Sequence, residues 1–214
     1  MTPIRVDIVS DVVCPWCIIG YLQLSKASDT AGIPIAVRWH PFELNPAMAP
    51  EGEDLGEHIA AKYGSTPDDS AKARARLTEL GAALGFHFGF SDNSRMVNTF
   101  KAHQLLDWAE DQQRAHLLKL ALFGAYFERQ RDVSDPAVLA ELAQSVGLDA
   151  AAARAVLDSG ERAPGVREKQ QFWTSRGIQG VPAMVFESQH LVTGAQGEDT
   201  YGQILRHLVD ARAA

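Results

Sequence analysis

The stretch Ser10-Asp11-Val12-Val13-Cys14-Pro15-Trp16-Cys17-Ile18-Ile19-Gly20-Tyr21 holds the only two cysteines of a 214-residue chain, spaced as C-x-x-C. Just before it, Ile4–Val9 (IRVDIV) alternates and is rich in β-branched residues, which predicts a strand. Just after it, Ile18, Ile19, Tyr21, Leu22 and Leu24 predict a helix that is buried on most sides, stopped by Gly32. Two sulfurs so placed have three readings: a redox pair, half of a metal site, or two unrelated buried thiols. A zinc site wants four ligands, and one C-x-x-C supplies two. The histidines, at 40, 58, 87, 103, 116, 190 and 207, form no H-x3-H pair beside a second cysteine pair. Inert buried thiols would need neither the strand before nor the helix after.

A helix N-terminus leaves backbone N–H groups unpaired and carries about half a positive charge. A thiolate at Cys14 is therefore expected to be stabilised, its pKa pulled below the ordinary value of about 8.5. Cys17 sits one turn further in, on the same face. The geometry gives an outer and an inner thiol: one forms a mixed disulfide with a substrate and the other resolves it. Pro15 suits a first helical turn, where its missing N–H costs no hydrogen bond. Trp16 either offers a substrate an aromatic contact or packs. Asp11, three residues before Cys14, reads as a turn or capping residue, or as a carboxylate acting on the thiols.

Further along, Ile33–His40 (IPIAVRWH) predicts a second strand, and Pro41, Pro46 and Pro50 then break regular structure. From Asp54 to Arg176 the pattern is helical. It includes one helix over Arg114–Arg131 whose apolar stripe of Leu117, Leu120 and Phe127 is expected in the core. Ala183–Glu187 and His190–Thr193 then predict paired strands, and Glu198–Arg212 a closing helix with acidic residues in its first turn. The order β-α-β, helical block, β-β-α describes an α/β protein. Residues 1–40 and 177–214 would form one domain, and 41–176 an all-helical insertion. Gly180-Val181-Pro182 precedes the third strand. A Val181–Pro182 bond in the cis form would expose the Val181 backbone as a short edge for an extended substrate. On these residues alone, a trans proline opening a strand is the simpler reading.

Bulk properties exclude other classes. A net charge of −7, with no long Lys/Arg run, argues against a nucleic-acid partner. No window approaches the 18 apolar residues of a membrane span. The N-terminus MTPIRVDIVSD lacks a signal-like apolar region, so a cytoplasmic location is expected. In a reducing cytosol a C-x-x-C pair is catalytic or metal-binding rather than structural.

The phrases SDVVCPWCIIG, VRWHPFELNP, NTFKAHQLLDWA, LFGAYFERQRDVSD and GVPAMVF…TGAQ together cover most of the chain. They resemble the DsbA family of the thioredoxin fold, and within it the FrnE-like branch. The resemblance implies dithiol–disulfide chemistry, with Cys14 as nucleophile, Cys17 as resolving thiol, and Val181-Pro182 as a cis-proline loop facing them. It implies a disulfide oxidase- or isomerase-like enzyme acting on a protein or small-molecule thiol or disulfide, with no bound cofactor or metal and with glutathione as redox partner. Pro15, Trp16, His40, Phe42 and Asn98 are the expected substrate-side residues, and either a monomer or a homodimer is compatible. Some relatives of this branch carry a further cysteine pair, which this chain lacks. The rival reading is a glutathione-dependent enzyme similar to 2-hydroxychromene-2-carboxylate isomerase or kappa-class glutathione transferase. There a serine usually replaces the first cysteine; here both cysteines are present.

Overall fold

A computed structural model of the chain describes residues 2–213. Two compact units emerge: one runs to Leu44 and resumes at Lys169, and the other spans Asn45–Glu168.

The first unit is built on a four-stranded sheet. Strand β1 (Ile4–Ser10) pairs in parallel with β2 (Ile35–Pro41) and antiparallel with β5 (Ala183–Phe186), which pairs antiparallel with the edge strand β6 (His190–Thr193). The order is β2-β1-β5-β6. Helix α1 (Pro15–Ala31) provides the crossover that two parallel neighbours require. It packs beside the closing helix α9 (Glu198–Ala213). Side chains alternate along a strand, so β1 serves two layers. Ile4, Val6 and Ile8 lie on one face and are fully buried. Arg5, Asp7 and Val9 lie on the other, where Val9, Ala183 and Val185 build a core with Ile178, and Phe42, Trp173 and Val181 pack against it. Helix α1 ends as its sequence dictates: Gly32 adopts φ 64°, which glycine reaches without steric cost, and its N–H caps the last turn.

One glycine decides how closely α1 approaches the sheet. A Cβ on Gly20 would stand 3.2 Å from Met184 Cε, 3.4 Å from Pro182 Cγ and 3.6 Å from the Ala195 backbone. The absence of a side chain lets the helix that begins at the cysteines rest directly on Pro182.

The second unit is helical. It contains α2 (Leu55–Tyr63), α3 (Pro67–Ala83), α4 (Phe100–Glu110), α5 (Ala115–Phe123), α6 (Pro136–Ser145) and α7 (Ala150–Ser159). The start signals act as read: Asp135 and Asp149 accept hydrogen bonds from the first-turn amides of α6 and α7, and Pro136 opens α6. Helix α8 (Ala163–Thr174) straddles the limit between the units.

Three details depart from the periodicity. The helix expected over Arg114–Arg131 is α5 followed by a π-helical turn, Gly124–Glu128, in which Arg129 N–H bonds to the Gly124 carbonyl. A Cβ on Gly124 would come within 2.9 Å of the Glu128 carboxylate, so the widened turn uses the space a side chain would fill. The change of phase turns the expected stripe: Phe127 is buried with Phe86, Phe88 and Phe123, whereas Leu117 is 45% exposed and Leu118 takes its place in the core. A strand pairing missed by pattern is β3 (Glu53–Asp54) with β4 (Arg95–Met96), two residues each and too short to show alternation.

Candidate active site

Cys14 is the N-cap of α1, with β-region φ −92° and ψ 110°. A turn sets it there: Cys14 N–H bonds to the Asp11 carbonyl (3.3 Å) and Cys17 N–H to the Cys14 carbonyl (3.0 Å). Pro15 takes the first helical position, as its fixed φ allows. Both sulfurs are recorded as free thiols and both are buried, Cys14 at 3% exposure and Cys17 at none. Pro15 and Trp16, between them, are half-buried.

Facing the helix start, the Val181–Pro182 peptide bond is cis. The Cys14 thiol points its Sγ at the Val181 carbonyl oxygen, 3.6 Å away. Pro182 is buried and Val181 half-buried, and β5 starts at the next residue. Two segments 167 residues apart in sequence thus meet at one sulfur.

The electrostatics correct the sequence expectation for Cys14. Burial pushes its thiol well above the ordinary cysteine range. The neighbouring Cys17 sulfur and the Asp11 carboxylate act in the same direction, and the Cys17 backbone N–H pulls the other way. A helix N-terminus offers partial positive charge, but removing a thiolate from water costs more than that charge returns. Alkylation of Cys14 in the reduced protein is therefore expected to titrate with a midpoint above about 8.5. In Cys17→Ser the midpoint should move down, because the second sulfur no longer opposes ionisation. A midpoint for the reduced dithiol near or below neutrality would show that burial does not dominate.

Asp11 is fully buried, and its Oδ2 accepts the Leu44 N–H at 2.8 Å, tying the loop after β2 to the turn before Cys14. The bond fits the turn reading of Asp11, and its carboxylate also bears on the thiol reading by opposing ionisation of Cys14. His40 Nε2–H donates to Asp7 Oδ1 (2.8 Å), and its ring lies 4.8 Å from that of Trp173. Asp7 is 1% exposed and is also bound by Arg5 at 2.8 Å. Phe42 packs, with Trp173 and Val181, on the Val9–Ala183–Val185 cluster. Asn98 belongs to the other unit, where its Nδ2 donates to the Met48 carbonyl (2.8 Å) and its Oδ1 accepts the Phe100 N–H (3.0 Å), holding the start of α4. Asp7, Trp173 and Gly20 were not singled out for the site from the sequence. A charged residue in the middle of the apolar strand IRVDIV was the signal available for Asp7; Trp173 and Gly20 carried none. Among the described residues there is no group of three or more His, Cys, Asp and Glu side chains arranged to hold a metal. Among them also, no helix is long and apolar enough to cross a membrane.

A dithiol at a helix N-terminus, opposed by a proline loop at the start of a strand, defines a thioredoxin-fold oxidoreductase. Residues 5–206 match the model of the DSBA-like thioredoxin domain family. The chain belongs to that family, as a DsbA-like oxidoreductase of the disulfide oxidoreductase or isomerase type. Among solved structures it is similar to a probable DsbA oxidoreductase from Streptomyces coelicolor, with 32% identity and a TM-score of 0.88 over 95% of this chain and 89% of that one. A 2-hydroxychromene-2-carboxylate isomerase shares the fold at 17% identity and TM-score 0.73, covering 98% of both chains. So does the cytosolic disulfide reductase DsbM from Pseudomonas aeruginosa, described with GSH, at 18% identity and TM-score 0.63 over 98% of each chain.

Proposed function

We propose that this chain is a FrnE-like thiol–disulfide oxidoreductase whose working pair is Cys14 and Cys17. The observation that carries the reading is the Cys14 sulfur at the start of α1, 3.6 Å from the Val181 carbonyl. A substrate strand pairing with the Val181 backbone would bring its own sulfur to Cys14. In the reducing direction the Cys14 thiolate attacks a substrate disulfide, forming a mixed disulfide and releasing one substrate thiolate. The Cys17 thiolate then attacks the Cys14 sulfur, closing the Cys14–Cys17 disulfide and releasing the second substrate thiolate with both electrons. The oxidising direction is the reverse. Pro15, Trp16 and Phe42 supply apolar surface for the substrate, and His40 supports that surface through Trp173.

Glutathione is the proposed redox partner, two molecules of it reducing the enzyme disulfide and leaving as glutathione disulfide. The Pseudomonas reductase described with GSH supports this assignment and a cytoplasmic setting. The sheet with α1 and α9 is proposed as the catalytic domain and the helical unit as the insertion that adapts it to a substrate.

Cys17→Ser tests the reading. The variant should accumulate a covalent adduct at Cys14 with a disulfide peptide, seen as a mass increase reversed by dithiothreitol. The rival, a glutathione-dependent isomerase or transferase, needs only one thiol-activating group and would keep its turnover in Cys17→Ser. Full turnover with no trapped adduct would sink the dithiol mechanism.

A further inference from the structure

The segment between β6 and α9 holds the proline loop in place. Gly194 N–H donates to the Pro182 carbonyl at 2.8 Å, one residue beyond Val181. The same segment is tied from two helices. From α9, the Tyr201 hydroxyl donates to the Gly194 carbonyl (3.0 Å) and accepts the Gln196 N–H (3.4 Å). From α1, Gln23 Oε1 accepts the Gly197 N–H (3.0 Å). Tyr201 is fully buried, its ring 6.4 Å from that of Phe186 on β5. Burial pushes its hydroxyl up to about 12, so it keeps its proton, and hence its donor role, throughout the range in which thiols react. Gly194 has φ 77°, a conformation that a glycine holds freely and that leaves the backbone to be fixed by these bonds.

We infer that Tyr201 and Gln23 are positioning residues: by holding residues 194–197 from both sides, they fix the Gly194 amide against Pro182 and so set where the Val181 backbone edge stands before the Cys14 sulfur. The inference rests on Val181 being the substrate edge. Its chemistry distinguishes substrates. An extended polypeptide that reads the Val181 carbonyl and N–H loses binding when that edge is no longer held. A small disulfide that meets only the sulfur does not.

Tyr201→Phe removes one hydroxyl and keeps the ring. Gln23→Met removes the second tie with little change of shape, so the test survives if the first variant folds poorly. For a disulfide-bonded decapeptide, KM should rise by about fivefold or more in each variant with kcat within about twofold. Exchange with 2-hydroxyethyl disulfide should stay within about twofold of the unsubstituted protein. The Gly194 amide should exchange its hydrogen at least about tenfold faster in both variants. An unchanged peptide KM in both variants would overturn the inference. So would a parallel fall in the peptide and small-disulfide rates, which marks a merely structural role. If the unsubstituted protein exchanges with neither disulfide, the proposed function fails instead, and the Gly194 amide still decides whether the two ties hold the loop.

Discussion

Replacing Cys14 with serine is expected to lower the rate of disulfide exchange by about a thousandfold or more, some 4 kcal/mol of lost transition-state stabilisation. The hydroxyl has no sulfur with which to form the mixed disulfide, so the first covalent step is removed rather than slowed. The same change should leave the protein as stable or make it more so. Cys14 occupies the N-cap of α1 but makes no side-chain capping bond, whereas serine is among the preferred N-cap residues. A gain of up to about 1 kcal/mol is expected from the new acceptor for a first-turn N–H. Urea denaturation and a peptide-disulfide assay on one preparation check both halves. Activity within tenfold of the unsubstituted protein would remove Cys14 from the mechanism. Lost activity accompanied by lost stability would leave the assignment resting on the Cys17→Ser adduct alone.

Asp7→Asn should be the costly substitution for stability. The carboxylate is 1% exposed and receives Arg5 and His40, each at 2.8 Å. An amide keeps the size but loses the charge, and it turns an N–H2 toward two donors. Leaving the buried Asp7 position mismatched to its donors, one of them the exposed Arg5, costs about 1–3 kcal/mol, or roughly 2–12 °C in melting temperature for a chain of this size. The pH dependence tells charge from shape. Burial acts to raise the Asp7 pKa, but the hydrogen bonds and charges of His40 and Arg5 together outweigh it, and the net shift is downward. A carboxyl whose folded pKa lies below its unfolded value of about 3.9 contributes stability that is present above that value and lost as pH falls through the folded one. The gap between the two proteins should therefore be widest near neutrality and shrink below about pH 4. An equal gap at pH 7 and pH 3 would mean that packing, not ionisation, makes Asp7 important.

Much of the molecule was legible because its signals are local. IRVDIV alternates, Pro15 and Gly32 bracket a helix, Asp135 and Asp149 cap helices, and short strand-like runs (AMVFE and HLVT) flank Ser188-Gln189. Each depends on residues within a turn or two of one another, so the order of elements in an α/β protein and the dithiol at a helix start were legible locally, and the resemblance to the DsbA family added the thioredoxin fold. The site needed more. That the Val181–Pro182 bond is cis, and that the Val181 carbonyl stands 3.6 Å from a sulfur 167 residues away, depends on β5 pairing with β1. Local preference favours trans, and before the structure only the family resemblance pointed to the cis form. Burial was equally invisible: a helix N-terminus predicts an easily ionised Cys14, yet desolvation in the folded protein pushes its pKa the other way. Leu117 and Leu118 are indistinguishable in composition, and the widened turn at Gly124 has no periodic signature. Tyr201 and Gln23 reach residues 194–197, and Gly20 reaches Pro182, only when α1 and α9 lie side by side. The sequence determined which chemistry the chain carries. The tertiary structure decided which atoms face it, because burial and long-range pairing are properties of the folded whole and not of any short stretch.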